Sequence, residues 1–309
     1  KEPYDTEENA AGDIQTAINF CGEEEKIVVL KGIYNTTMAV DVNKKLEVIG
    51  ATGNPEDVII HNTVSGYRCL KVTKAGAFVA SMALENGSPD WEHDHTSSFK
   101  GTGAYVTAGT VSNLVVRSCT SKYDSLASGA AITADGASTF ITHCVITNNT
   151  ASGGNRDGFY VSGVGLHLTG GAKAENCLVA DNRTSFQQSW FGNGHCAVFV
   201  GDESHLRFCT VVGNSCRLFG GIGVYGTGVF EECLVAGNTS TGLSTLKNRA
   251  RHILWSAFPE GVSFAILIMN IVTPFLDKIR PRTFGKPRRN YIEIFKEKIA
   301  EKKAKKTAQ

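Results

Sequence analysis

Through most of the chain, apolar and polar positions alternate in short runs rather than at helical spacing. Gly165-Leu166-His167-Leu168, Ala197-Val198-Phe199-Val200 and Ile222-Gly223-Val224-Tyr225 are examples, and Gly170, Gly201 and Gly226 close them. Such runs predict strands of four or five residues ended by glycine turns. Superimposed on them is a repeat. Cys144 to Asn149, Cys177 to Asn182, Cys209 to Asn214 and Cys233 to Asn238 each set a cysteine, apolar or β-branched residues and an asparagine five places on, at separations of 33, 32 and 24 residues. A repeat of that period predicts a solenoid, whose units bury their apolar faces only by stacking.

Strand, turn, strand, cysteine strand and asparagine turn predict a coil of about 24 residues that returns to its start one strand spacing higher, roughly 4.8 Å. The fold class is an all-β solenoid, a single-stranded parallel β-helix of about eight or nine coils over residues 1–245. The usual chirality of parallel connections makes it right-handed. Each ladder cysteine shares a strand face with the residue two places on (Ile146, Val179, Val211, Val235), so both point inward. Asn149, Asn182, Asn214 and Asn238 stack at a corner, where asparagine tolerates the left-handed backbone of a tight bend. The nine cysteines contain no C-x-x-C pair. They therefore read as packing groups, and nothing calls for a cofactor.

At the start, Ile14, Ala17, Ile18 and Cys21 fall on one helical face, predicting a short amphipathic helix over the first coil's open edge. The words Ile14 to Ile18 and Val28 to Tyr34 resemble the "IQxAI" and "VVLxxGxY" entry of the pectate-lyase-like β-helix superfamily. That resemblance, over about residues 10–245, implies the fold. It does not imply one reaction, because the superfamily includes lyases, hydrolases, esterases and inert surface proteins.

Insertions are expected at residues 86–101, 120–128, 151–164, 183–195 and 215–221, on the side of a solenoid that often binds. They carry Trp91, Tyr123, Tyr160, Trp190 and Phe219, rings that could stack on successive sugars or simply pin loops to the barrel. Asp90, Glu92, His93, Asp94 and His95 form the densest ionisable cluster and are candidate ligands for a divalent metal. Asn155 to Gly158 and Asn193 to Cys196 faintly resemble the Asn-Thr-Asp-Gly and Gly-His-Gly words of β-helical polygalacturonases. That makes Asp157, Arg156 and His195 candidate catalytic residues. Hydrolysis needs two positioned carboxylates, but no Asp-Asp pair lies between these words and no Arg-Ile-Lys follows; a pectate-type lyase would need a basic residue beside calcium-binding acids on a strand face, and no such row is evident. Whether the chain is an enzyme is left open.

Charge divides the chain: residues 278–309 sum to +9 and the first 277 to −8. An acidic body excludes nucleic acid as the solenoid's partner, and the basic tail is suited to an anionic surface. The repeat stops after Gly242. Gly261 to Leu276 is an uncharged run of sixteen residues, roughly 24 Å as a helix. Asn270, Thr273 and Pro274 within it suit a helix packed among others in a membrane. Lys278, Arg280, Arg282, Lys286, Arg288 and Arg289 follow and predict a cytoplasmic flank, leaving the solenoid extracytoplasmic. Residues 246–289 thus read as a membrane-type segment, with membrane contact through 255–279, and 290–309 as a basic amphipathic tail. Pro259 to Asn270, Thr273-Pro274 and Arg280 to Arg282 resemble the last transmembrane helix of the RnfD-type membrane protein of Rnf ion-translocating electron transport complexes, and of its relative in sodium-translocating NADH:quinone reductase. The resemblance implies other electron transport subunits as partners. The flavin-bearing threonine motif of those proteins is absent from this chain.

The readings that follow are a surface module binding polysaccharide or another surface protein, a carbohydrate-active enzyme, or a fused or truncated RnfD-type component of an electron transport complex.

Overall fold

The computed structural model describes residues 6–89, 101–123, 131–153, 163–184, 197–216 and 223–240. The chain divides into two units, Lys1–Ala257 and Phe258–Gln309, and every described residue belongs to the first.

A short helix, α1 (Ile14–Phe20), precedes the strands. The first coil is β1 (Lys26–Val29), β2 (Gly32–Thr36) and β3 (Val40–Val42), and the second is β4 (Glu47–Gly50), β5 (Val58–Asn62) and β6 (Leu70–Val72). In the third, β7 (Phe78–Glu85) bends to serve two faces before β8 (Ala104–Val106). The fourth repeats this with β9 (Gly109–Arg117), then adds β10 (Thr120–Tyr123) before β11 (Ile132–Asp135). The fifth holds β12 (Thr139–Thr142), β13 (Val145–Thr147), β14 (Thr150–Gly153) and β15 (Leu166–Thr169). The sixth holds β16 (Lys173–Glu175), β17 (Leu178–Ala180), β18 (Arg183–Thr184) and β19 (Val198–Val200). β20 (His205–Arg207), β21 (Thr210–Val212), β22 (Ser215–Cys216) and β23 (Val224–Gly226) make the seventh; β24 (Val229–Glu231), β25 (Leu234–Ala236) and β26 (Thr239–Ser240) close the described part.

Every named strand pair is parallel, and corresponding strands of successive coils stack in register. The result is a mostly-β solenoid: two faces joined through β7 and β9, a third face of seven strands and a fourth of five. Inward residues form columns. Ile27, Val48, Val79, Val111, Ile141, Ala174 and Leu206 are register partners in turn on the first face, and all are buried. No single coil could bury such a column, so stacking carries the stability.

The ladder residues show how the corners are made. Cys144, Cys177 and Cys209 are buried, as are Ile146, Val179 and Val211 two places on, while Cys233 and Val235 pack against the core from a half-buried position. The Nδ2 amide of Asn149 donates to Asn182 Oδ1 at 2.9 Å, that of Asn182 to Asn214 Oδ1 at 3.0 Å, and that of Asn214 to Asn238 Oδ1 at 2.9 Å. Each oxygen also accepts the main-chain N–H of the preceding ladder residue, and Asn149 Oδ1 accepts from Cys119 N at 3.0 Å. Cys119 occupies the ladder position in the coil before. One expectation is corrected: the left-handed residue is not the ladder asparagine but its predecessor. Asn148, Asp181, Gly213 and Gly237 lie at φ 55, 55, 66 and 62°. This frees the ladder amide to point inward while the preceding residue takes the bend. A second left-handed corner precedes each ladder cysteine, at His143, Asn176, Phe208 and Glu232 with φ 53, 54, 53 and 52°.

α1 is capped by Asp13, whose Oδ1 accepts from Thr16 N at 2.8 Å, and it buries Ile14 and Ile18 in the core cluster. Gln15 binds the main chain of edge strand β3 as a neighbouring strand would: its Oε1 accepts from Asp41 N at 2.7 Å and its Nε2 donates to Asp41 O at 3.4 Å. Lys44 Nζ donates to the carbonyls of Ile18, Asn19 and Cys21 at 2.9, 2.9 and 2.6 Å, satisfying acceptors at the helix C-terminus.

Candidate functional site

The described residues that flank the insertions meet at one corner. Residues 124–130, 154–162, 185–196 and 217–222 each lie between a strand of the fourth face and the next strand of the third, and 90–100 occupies the same place between β7 and β8. The fourth face was not expected. Four of the segments read as insertions from 120, 151, 183 and 215 begin instead with β10, β14, β18 and β22, or inside one of them. These strands pair between coils, so consecutive insertions leave one strand spacing apart, roughly 4.8 Å.

Beside that corner runs the outward row of the third face. Asp41, Lys71, Tyr105, Thr133, His167 and Phe199 are register partners in turn. Lys71 Nζ lies 3.6 Å from Asp41. Arg68, buried, holds its guanidinium carbon 5.0 Å from the centroid of the Tyr105 ring. Desolvation lowers the pKa of Arg68 to about 10, so it stays a cation at neutral pH. His167 is buried although it points outward, and it stacks on Phe199 with centroids 4.7 Å apart and planes inclined by 20°. The Thr133 hydroxyl is buried without a hydrogen-bond partner. Along this row Arg68, Thr133 and His167 are buried, while Tyr105 and Phe199 are half-buried.

The strand words that predicted the third face also contained this row: with Leu166 and Leu168 inward, His167 must face out, and Phe199 follows one coil later. Alternation reveals which residues face out, but not that Arg68 comes beside Tyr105. Asp157, Arg156, His195, Trp91, Tyr160, Trp190, Phe219, Asp90, Glu92, His93, Asp94 and His95 lie outside the described residues, as does the side chain of Tyr123, whose backbone belongs to β10.

A row of charged side chains lies on the second face. His61, Glu85 and Arg117 are register partners on β5, β7 and β9. Arg117 Nε donates to Glu85 Oε1 at 2.7 Å and Nη1 to Glu56 Oε1 at 2.6 Å, while His61 Nδ1 lies 3.2 Å from Glu85 Oε2. Burial alone would raise the Glu85 carboxyl, but the hydrogen bonds from Arg117 and His61 outweigh it and hold it below the usual range. Both carboxylates are engaged, so the row reads as an ion-pair clamp tying the 51–57 turn to the sheet. Among the described residues no group of three or more His, Cys, Asp or Glu could hold a metal ion. A hydrogen bond with Cys177, with burial, pushes the Cys209 thiol up to about 12, so it stays protonated at neutral pH.

A model of the NQR2, RnfD, RnfE family matches residues 251–285. The matched stretch lies outside the described residues, and among those no helix is long and apolar enough to cross a membrane. Compared with curated proteins and with solved structures, the chain matches none.

Proposed function

We propose that the chain is an exported, non-catalytic β-solenoid module that binds glycan or a partner protein along its insertion corner. In this reading the solenoid is right-handed and resembles the pectate-lyase-like scaffold, and the segment 255–279 with its basic tail associates with a membrane. The observation that carries the binding reading is the adjacency of two rows. One is the stacked exits of the insertions, which bear Trp91, Tyr160, Trp190 and Phe219, with Tyr123 at the end of β10 where one of them leaves. The other is the outward row of Tyr105, His167 and Phe199 with buried Arg68. A linear ligand lying along the solenoid would meet a ring every coil or two.

A glycan array probed with the full chain tests it. Binding weakened at least tenfold by Phe199→Ala, and unaffected by Asp157→Ala or His195→Ala, is the expected result. Depolymerisation lost on those two substitutions would instead identify a carbohydrate-active enzyme.

The family match at 251–285 supports a second reading, attachment to a membrane electron transport complex. It predicts membrane fractionation abolished by truncation at residue 250, and co-purification with flavin-bearing proteins of such a complex. A truncated chain that still sediments with membranes would end it.

A further inference from the structure

The segment that carries α1 covers two strand edges of the first coil, and it covers them differently. On β3 the cover is direct: the Gln15 side-chain amide accepts from Asp41 N at 2.7 Å and donates to Asp41 O at 3.4 Å, the two bonds a peptide strand would make. On β1 it stands off, leaving a cavity of about 350 Å³ between the strand and the 6–21 segment. Lys26, Val28 and Leu30 line one side of it, and Ala11, Ile14 and Ala17 the other. Glu25 O accepts from Glu47 N at 3.0 Å and Val29 O from Ala51 N at 2.8 Å, so these residues turn their main-chain groups to β4. Strand alternation therefore turns the N–H and C=O groups of Lys26 and Val28 to the cavity side. Among the described residues β1 pairs only with β4. The Tyr34 hydroxyl donates to Leu30 O at 2.9 Å and so closes one end of this edge.

We propose that this cavity binds a short extended peptide of small apolar residues, added as a strand along β1. The chain itself shows what such an edge takes, because Gln15 meets β3 with an amide, and Lys26 and Val28 present the same donor and acceptor twice on β1. A strand laid beside β1 turns every second side chain to the side of buried Ile27 and Val29, where Ile14 and Ala17 bound it. Those walls are aliphatic, so a charged side chain placed there would lose its water without gaining a partner. The volume lies near the lower end of the roughly 300–1,000 Å³ typical of ligand sites, which limits the occupant to about three residues. Main-chain bonds to Lys26 and Val28 supply affinity, and the space under α1 selects side chains by size.

Equilibrium dialysis and amide hydrogen exchange on the full chain in detergent solution test the proposal, with acetyl-Ala-Val-Ala-amide as the probe. The probe should bind and slow exchange at the Lys26 and Val28 amides. The same probe methylated on its valine nitrogen keeps the side chains but loses a main-chain donor, and should bind at least tenfold more weakly. Ala11→Leu and Ala17→Leu each enlarge a side chain on the far wall, and either should weaken binding at least tenfold while the melting temperature holds near that of the parent. A parent that does not bind the probe would overturn the proposal, as would equal binding of the methylated probe, which marks an apolar hole and not a strand edge. Binding unchanged in both variants would place the probe elsewhere and overturn it too. Binding seen only after deletion of residues 1–5 would make that segment the occupant and end the proposal.

Discussion

Asn182 sits midway in the amide column and is fully buried. Its Nδ2 donates to Ile146 O, Ala180 O and Asn214 Oδ1 at 2.9, 3.0 and 3.0 Å, and its Oδ1 accepts from Asn149 N at 3.1 Å and Asn149 Nδ2 at 2.9 Å. Asn182→Ala leaves the main-chain N–H of Asn149 without an acceptor, away from water, at about 1–3 kcal/mol. The carbonyls of Ile146 and Ala180 each lose a donor, at about 1 kcal/mol apiece. Asn149 Nδ2 keeps Val116 O and Thr147 O, and Asn214 Oδ1 keeps the N–H of residue 182, so those ends add little. The expected total is about 4 kcal/mol. Asn238→Ala, in the half-buried last coil, should cost about 1 kcal/mol. Denaturant unfolding followed by circular dichroism measures both, with the slope of each transition checked for loss of cooperativity. Near-equal costs at the two positions, or a cost below about 1.5 kcal/mol at Asn182, would refute the claim that this column holds the corner.

Other consequences are smaller or concern pH. Phe208 holds φ 53° with its ring 45% exposed. Phe208→Asn should relieve the left-handed strain and raise stability by about 0.5–1 kcal/mol in a thermal melt, net of the lost Arg207 contact. Cys177 and Cys209 keep raised pKa values in the folded state. Above the ordinary thiol pKa of about 9 the unfolded chain loses protons that the folded chain retains, so stability should fall with rising pH by about 1.4 kcal/mol per unit for each thiol. Unfolding midpoints from pH 8 to 11 check this, and a flat profile contradicts it. The same burial makes these thiols unreactive toward Ellman's reagent until the chain unfolds. Arg117→Met should strand Glu56 and Glu85 at about 1–2 kcal/mol. Because the lowered Glu85 pKa gives stability that is lost as pH falls through the carboxylate range, the variant should also show a shallower acid-side decline.

The solenoid was legible because its physics is local and repeated. Alternation marks which side of each strand is apolar, and Cys144, Cys177, Cys209 and Cys233 count the coils at which sulfur meets the core. The amphipathic spacing of Ile14, Ala17, Ile18 and Cys21 likewise foretold a helix at Ile14–Phe20. Gln15 was legible only as a letter in a motif; its use as a stand-in strand for Asp41 needs the fold. The same holds for the bend at Asn148, since sequence cannot say which of two adjacent asparagines turns and which stacks.

The functional surface divides the same way. That His167 and Phe199 face outward follows from period-two alternation, a property of one strand. That they touch, that Arg68 comes to lie beside Tyr105, and that Glu56, Glu85, Arg117 and His61 form one clamp depend on residues 24 to 61 positions apart in the chain. Coil length varies with every insertion, so no fixed spacing encodes those neighbours. Only the vertical register of the stacked coils, set by burial of the inward columns, decides which side chains meet.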